Sequence, residues 1–66
     1  MIHYLDKITA EKFKLFFINA ISNDEFHPNI TKWYLRNYKV EFNGGINTPY
    51  FLEGKPEHIT WLLLLV

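Results

Sequence analysis

The side chains that could perform acid–base or metal chemistry are few and far apart in this sequence. The three histidines, His3, His27 and His58, do not show a metal-ligand spacing such as His-x-x-x-His. Residues 24–27 combine two carboxylates with an imidazole, which suits a hard-metal or acid–base cluster, but equally a polar turn before Pro28. We favour the turn. The chain has no cysteine, one serine and no glycine motif for phosphate. We therefore predict no catalytic residue, metal site or cofactor.

The most unusual local composition is found in residues 32–39. They hold three positive charges and three aromatic rings without a negative charge, whereas the rest of the chain has four basic and seven acidic residues. Trp, Tyr and Arg are enriched at protein interfaces. Flat rings with cations also suit stacking on a nucleotide and contact with its phosphates. A third interpretation places Trp33 and Tyr34 in the core and leaves the charges in water.

These interpretations define two candidate sets of residues. The predicted partner-binding residues are Trp33, Tyr34, Arg36, Tyr38 and Lys39. The alternative set, which would bind a nucleotide-like ligand, is Lys32, Arg36, Tyr38 and Lys39.

Composition limits the classes of protein to consider. The chain has 66 residues, seven basic against seven acidic side chains, and 18% aromatic residues. This length predicts a single small domain, 1–66. We expect neither duplex nucleic acid nor a membrane as partner, because proteins that bind phosphate surfaces carry a basic excess. The absence of cysteine and of a charged leader followed by an apolar run favours a cytoplasmic protein.

The first half of the sequence predicts a strand and two helices. Apolar alternation predicts a short strand over 1–5. Spacings of three and four predict the main helix over 10–22, with Thr9 as its N-cap. The predicted core face of this helix is Ala10, Phe13, Phe16, Phe17, Ala20 and Ile21. A short second helix is predicted over about 28–36, with Pro28 at its first position.

The middle of the sequence predicts a β-hairpin. Apolar residues alternate with charged ones over 38–42, which is the period of a half-buried strand. Asn43-Gly44 marks the hairpin, because both residues tolerate positive φ. The return strand is predicted over 46–52. Pro49 within it cannot donate a ladder hydrogen bond, which indicates an edge strand or a bulge.

Residues 58–66 are apolar at almost every position. Their length and their Ile, Thr, Trp and Val favour a strand, whereas the leucines and Pro56 also suit a helix wedged between the sheet and the main helix. We predict a strand with apolar side chains on both faces. A two-layer domain covers only one face, so we expect a second copy to cover the other. The predicted self-association residues are Trp61, Leu62, Leu64 and Val66.

The predicted fold is a small two-layer α+β domain, in which the helices pack on a three- to four-stranded, mostly antiparallel sheet. We predict a non-enzymatic protein-binding module that inhibits a host protein by occluding or sequestering it, and that forms a homo-oligomer. Frequent Ile, Asn, Lys, Phe and Tyr, which use AT-rich codons, suggest a phage or other mobile element as its source. Two alternatives stay open: an oligomer that sequesters a nucleotide-like ligand, and a structural subunit of a larger assembly.

Overall fold

The computed structural model describes residues 1–21, 29–45 and 47–66. Within these ranges the chain forms three helices and an open, three-stranded antiparallel sheet of order β1-β3-β2, which confirms the predicted α+β class. The elements are β1 (Ile2–Tyr4), α1 (Lys7–Ala20), α2 (Ile30–Tyr38), β2 (Glu41–Gly45), β3 (Thr48–Glu53) and α3 (Pro56–Leu65). The polar turn predicted at 24–27, and Pro28, lie outside the described residues.

The main helix α1 begins three residues earlier than predicted. Its N-cap is Asp6 and not Thr9: the Asp6 carboxylate accepts a 2.7 Å hydrogen bond from the Thr9 backbone N–H. The prediction placed the start at the first residue of the apolar stripe, whereas the capping carboxylate lies upstream of it. Hydrogen bonds from the side chain and backbone of Thr9 lower the pKa of the Asp6 carboxyl group. The helix ends at Ala20, and Ile21 is its C-cap.

Burial decreases along α1 from its middle to its C-terminal end. Ala10 and Phe13 are buried, and Phe16 and Phe17 are half-buried, as the apolar stripe predicted. Ala20, which the stripe also included, is exposed. The last turn of α1 therefore extends beyond the core, although its sequence continues the apolar spacing.

Helix α2 is confirmed, but it lies two residues further along the chain than predicted. Asn29 is its N-cap, because the side-chain oxygen accepts hydrogen bonds from the backbone N–H groups of Thr31 at 2.9 Å and Lys32 at 3.2 Å. Asn is among the residues that cap helices best, and this cap sets the start at Ile30.

The end of α2 corrects the predicted strand over 38–42. Tyr38 is the last helical residue, and Lys39 follows in the left-handed conformation with φ 59° and ψ 28°. The Lys39 N–H donates to the Leu35 carbonyl at 3.0 Å, which closes the helix. Strand β2 therefore starts only at Glu41. Tyr38 fitted the alternating pattern of the strand by chance, although it belongs to the last turn of α2.

The predicted hairpin is present, but its tip lies beyond Asn43-Gly44. The register passes from Asn43 opposite Phe51 to Gly45 opposite Thr48. Gly44 therefore faces two residues of β3, and it adopts φ +128° where a Cβ atom would lie 2.6 Å from the Tyr50 Cα. Only glycine fits this bulge.

Pro49 lies in the bulged part of β3. This confirms the bulge that its missing N–H indicated, whereas the edge position is wrong, because β3 is the central strand. On its other side, β3 pairs with β1 only over residues 51–53. Pro49 is therefore not paired with β1, and the sheet needs no N–H donor at this position.

All three helices and one face of the sheet contribute to the core. Phe42 and Leu52 pair across β2 and β3, and both are buried. Helix α2 is joined to α1 by a 2.6 Å hydrogen bond from the Tyr34 hydroxyl to the Phe13 carbonyl, and to β2 by one from Thr31 to the Phe42 carbonyl. The buried residues are Leu5, Ala10, Phe13, Tyr34, Val40, Phe42, Leu52, Ile59 and Leu62.

The C-terminal segment is a helix, so the predicted strand over 58–66 is wrong. Pro56 occupies the start of α3, where its fixed φ and missing N–H suit a helix, and Glu57 lies in the first turn. The structure thus agrees with the helix preference of the leucines and not with the strand preference of Ile59 and Trp61. The helix is not wedged into the core on all sides either, because only Ile59 and Leu62 are buried. In the described part of the chain, no helix is long and apolar enough to cross a membrane.

Candidate functional site

A groove with mainly apolar walls lies between the C-terminal end of α2 and the exposed side of α3. We call it the α2–α3 groove. Its volume is about 700 Å³, within the usual range for pockets that bind ligands. The residues that line it are Asn37, Tyr38, Lys39, His58, Trp61, Leu62, Leu64 and Leu65.

Helical spacing explains why α3 presents these residues together. His58, Trp61, Leu62 and Leu65 follow the i, i+3, i+4, i+7 pattern of one helix face. Leu62 lies in the core and forms the floor, whereas Trp61 is 77% and Leu65 55% exposed. Leu64, at the side of this stripe, is 82% exposed. The helix therefore turns one part of its apolar surface inward and leaves the other part in water.

The α2 wall of the groove depends on an unusual backbone conformation. Lys39 ends α2 at positive φ, a conformation that glycine adopts without steric cost and other L-residues disfavour. Gly54 lies directly against it: a Cβ atom at Gly54 would be 3.1 Å from the Lys39 carbonyl oxygen. Since α3 begins at Pro56, this contact places Lys39 near the N-terminal end of α3.

The predicted partner-binding residues do not lie together in the structure. Tyr38 and Lys39 line the groove. Tyr34 is fully buried, and burial, with a smaller effect from Tyr38, raises the pKa of its hydroxyl group. Trp33 is half-buried, with its ring centroid 4.9 Å from that of Tyr34 and 5.4 Å from that of Phe17.

The remaining charges of α2 lie apart from the groove lining. Lys32 and Arg36 are exposed four residues apart on the helix, and Arg36 lies in the last turn, where a cation is favourable to the helix dipole. Of the residues proposed to bind a nucleotide-like ligand, only Tyr38 and Lys39 line the groove. The basic segment seen in the sequence is therefore not gathered into one cationic pocket.

The predicted self-association residues are also divided. Trp61 and Leu64 are exposed and line the groove, Val66 is half-buried, and Leu62 is buried. The predicted partner-binding and self-association residues thus meet in the α2–α3 groove. The partner-binding set contributes Tyr38 and Lys39, and the self-association set contributes Trp61 and Leu64.

Sequence analysis missed Asn37, His58 and Leu65 as residues of this site. Assigning residues 58–66 to a strand put Leu65 on the face opposite Leu62 and Leu64. A helical period applied to the same residues places His58 and Leu65 on the stripe of Trp61 and Leu62. Asn37 had no signal in the sequence, because only the packing of α2 beside α3 brings it to the groove.

A second, smaller cavity of about 370 Å³ lies on the side of α1, β2 and β3 and includes none of the predicted site residues. Its cation, Lys14, is already engaged: the ammonium group lies 3.4 Å from a Glu11 carboxylate oxygen and 4.3 Å from the centre of the Tyr50 ring. A hydrogen bond with Tyr50 raises the pKa of Lys14. The α2–α3 groove, with its exposed apolar wall, is therefore the stronger candidate.

Neither site contains a metal-binding arrangement. Among the described residues, no three or more His, Cys, Asp or Glu side chains come together in a way that could hold an ion. Comparison of the sequence with protein-family models gave no match. Searches of curated proteins and of solved structures gave no match either.

Proposed function

We propose that this chain is a small, non-enzymatic protein-binding module and that the α2–α3 groove is its binding surface. The observation that supports this most is the exposure of Trp61 and Leu64, at 77% and 82%, beside a groove of about 700 Å³. Exposed apolar side chains that form a continuous patch around a concave surface are typical of interaction sites.

The chemistry of the groove suits a polypeptide partner. Trp and Tyr are common among the residues that contribute most to binding, and both line this groove as Trp61 and Tyr38. Asn37, Lys39 and His58 add polar groups around the apolar centre, which is the usual arrangement of a protein interface. A nucleotide-like ligand has less support, since Lys39 alone would contact its phosphates.

The partner that we propose is a host protein, which the module would inhibit by occluding or sequestering it in the cytoplasm. The support for a phage or mobile-element source is the bias toward residues with AT-rich codons. The support for occlusion is the exposed apolar lining of the groove, because such a surface acts most simply by covering a surface on another protein.

Native mass spectrometry of the protein, purified gently from its own cellular background, tests this proposal. Trp61→Lys removes the exposed indole and adds a charge to the groove. Leu15→Lys is the matched control, because Leu15 is 57% exposed on α1 and is not a groove residue. We expect a stoichiometric complex with another protein for the wild type and for Leu15→Lys, and its loss for Trp61→Lys.

Two results would contradict the proposal. A bound mass of a few hundred daltons per site, with binding that weakens steeply in salt, would identify a small anionic ligand instead. A protein complex that survives Trp61→Lys unchanged would place the binding surface elsewhere on the chain.

A further inference from the structure

The two edges of the sheet differ in what covers them. On the β2 edge, the Thr31 hydroxyl at the start of α2 donates a 2.6 Å hydrogen bond to the Phe42 carbonyl, so α2 satisfies an outward-facing backbone group there. On the opposite edge lies β1, and no described residue pairs with its outer side. The side chains of Ile2 and Tyr4 on this strand are 49% and 64% exposed. Strand β1 is therefore an open sheet edge.

The register shows which backbone groups of β1 face outward. In an antiparallel ladder, residues that exchange hydrogen bonds with the partner strand alternate with residues whose groups point the other way. The Leu5 N–H donates to the Tyr50 carbonyl at 2.9 Å. His3, two residues earlier, therefore also bonds to β3, whereas the N–H and C=O groups of Ile2 and Tyr4 point away from the sheet.

The solvent-facing side of the sheet beside this edge is acidic. Phe42 and Leu52 are paired and face the core, so the residues next to them along β2 and β3 face water. Glu41 and Glu53 are direct partners in the register, although like charges at such positions destabilise a sheet. Glu41 accepts a 3.3 Å hydrogen bond from the Asn43 amide, but neither carboxylate forms an ion pair with a described residue.

The row of side chains that contains this acidic pair continues onto β1. Ile2 lies opposite Glu53. In the next row, Tyr4 lies opposite Phe51, with the two ring centroids 5.9 Å apart. A strand added beside Ile2 would place a Cα atom about 10 Å from that of Glu53, two inter-strand spacings away, which the long side chains of Arg and Lys can span. Next to Tyr4, a cation would lie beside an exposed aromatic ring, which is also favourable.

From the open edge and its unpaired carboxylates we infer that β1 binds an extended, basic polypeptide segment, which joins the sheet as a fourth strand. Only another extended backbone matches the outward N–H and C=O groups of Ile2 and Tyr4. A second copy fits less well, because the same two residues of its own β1 would bring no cation to the acidic row. The edge is separate from the α2–α3 groove, since no β1 residue lines that groove.

Amide hydrogen exchange of the full chain, followed residue by residue by NMR, tests the added strand. The probe is a blocked eight-residue peptide of alternating valine and arginine, which places all its cations on one face of a strand. We expect saturating peptide to slow exchange at Ile2 and Tyr4 by about 10-fold or more, because their N–H groups become bonded. The Leu5 N–H, which is already bonded to β3, should change little.

Two control peptides separate charge from strand formation. In the first, glutamate replaces arginine, and repulsion from the acidic pair should prevent binding. In the second, the arginines are kept and every amide nitrogen is methylated, so the peptide has no donor for β1 and should give no protection. Equal protection by the glutamate peptide would overturn the basic partner, and equal protection by the methylated peptide would overturn the added strand.

Substitutions at Tyr4 isolate the backbone donor. Tyr4→Pro removes an N–H group that faces outward, so it costs no hydrogen bond within the sheet. Tyr4→Thr is the matched control, because it loses the ring but keeps the N–H. We expect Tyr4→Pro to bind the peptide about 5-fold more weakly than Tyr4→Thr, as the loss of one backbone hydrogen bond implies. If Tyr4→Pro does not fold, Ile2→Pro against Ile2→Thr makes the same comparison at the first residue of the strand.

The acidic pair is tested by replacing both carboxylates with amides of the same shape. The double variant Glu41→Gln with Glu53→Gln should bind the arginine peptide about 5-fold more weakly, a loss typical of exposed ion pairs. The affinity of the wild type should also fall as salt is added, because salt screens exposed charges. An affinity that is unchanged in the double variant would contradict the role of the acidic pair.

The outcomes are distinguishable from those of the proposed function. Exchange at Ile2 and Tyr4 that the arginine peptide leaves unchanged overturns the inference, without bearing on the groove. Trp61→Lys should keep the protection of the β1 amides, since Trp61 lines the groove and not the sheet edge. Exchange that slows in the peptide-free protein as its concentration rises would identify a second copy at the edge and also overturn the inference.

Discussion

Helices α2 and α3 are of similar length and both are rich in large apolar side chains, yet the fold uses them in opposite ways. In α2, Tyr34 is completely buried with its hydroxyl bonded to the Phe13 carbonyl, and Lys32 and Arg36 face water. In α3, Ile59 is buried while Trp61 is 77% exposed.

The difference shows what a polar residue contributes to the specification of a fold. Because α2 mixes polar and apolar residues at helical spacing, its sequence indicates which face is buried. From Ile59 onward α3 contains a single polar residue, Thr60, and any face of that helix could have packed inward. Part of the apolar surface of α3 therefore stays exposed, whereas the apolar face of α2 packs in the core.

Truncation of one aromatic residue from each helix should give the largest contrast. Tyr34→Ala removes a fully buried ring, which typically costs about 3–5 kcal/mol and would unfold most of a domain this small. Trp61→Ala should change the unfolding free energy of the monomer by about 0.5 kcal/mol or less, as at other exposed sites. Urea denaturation followed by circular dichroism, at concentrations low enough to prevent association, measures both.

Equal losses of unfolding free energy in these two variants would contradict this difference between α2 and α3. They would mean that Trp61 is part of the folded monomer's core and that the groove is not a free surface.

Two residues within α3 should show the same contrast between a buried and an exposed side chain. Ile59→Ala should destabilise the chain by about 2–5 kcal/mol, because Ile59 is 2% exposed and a cavity would remain. Leu64→Ala should cost about 0.5 kcal/mol or less in the monomer, because Leu64 is 82% exposed. Thermal unfolding at low protein concentration, repeated at high concentration, tests both values. If the chain self-associates through Leu64, as the sequence predicts, the effect of Leu64→Ala should grow with concentration.

A smaller effect is expected from pH, again on the α2 side. Burial raises the pKa of Tyr34 above the value of about 10 that tyrosine has in an unfolded chain. The folded state therefore favours the neutral hydroxyl group. Its contribution to stability is complete below about pH 10 and is lost as the pH rises from there toward the folded pKa, at up to about 1.4 kcal/mol per pH unit.

Tyr34→Phe isolates this contribution. The variant should lose about 0.5–1.5 kcal/mol at neutral pH through the missing hydrogen bond to Phe13. Its urea midpoint should then fall less steeply between pH 9 and 11 than that of the wild type. An identical pH profile for the two proteins would show that Tyr34 is not the group responsible.

The smallest expected effect is a gain in stability where the two helices approach each other. Lys39→Gly relieves the positive φ of the α2 C-cap and should stabilise the monomer by roughly 0.5–1 kcal/mol. The same change removes a cation from the lining of the groove, so we expect weaker binding of the protein partner despite the more stable fold. Lys39→Asn keeps a residue that tolerates this conformation and serves as the matched loss of charge. Unchanged binding of the partner by both variants would show that Lys39 is not a contact residue.

Local patterns in the sequence are sufficient to predict α1, α2 and the hairpin. The spacing of Phe13, Phe16 and Phe17 predicted α1, and the alternation before Asn43-Gly44 predicted a hairpin. These are local signals, because periodicity and turn chemistry depend on neighbouring residues. Their boundaries were less accurate, since caps such as Asp6 and Asn29 depend on side-chain hydrogen bonds that several nearby residues could have made.

The identity of α3 as a helix and the composition of the groove depend instead on tertiary packing. A short, continuous apolar run has no period, so the sequence could not distinguish a strand from a helix, nor select which of Leu62 and Leu64 is buried. The groove forms because α2 ends at Lys39 and packs beside α3 across Gly54, which joins residues about twenty positions apart in the chain. The sequence contained the exposed apolar residues, but the packing of the core determined which of them face the solvent.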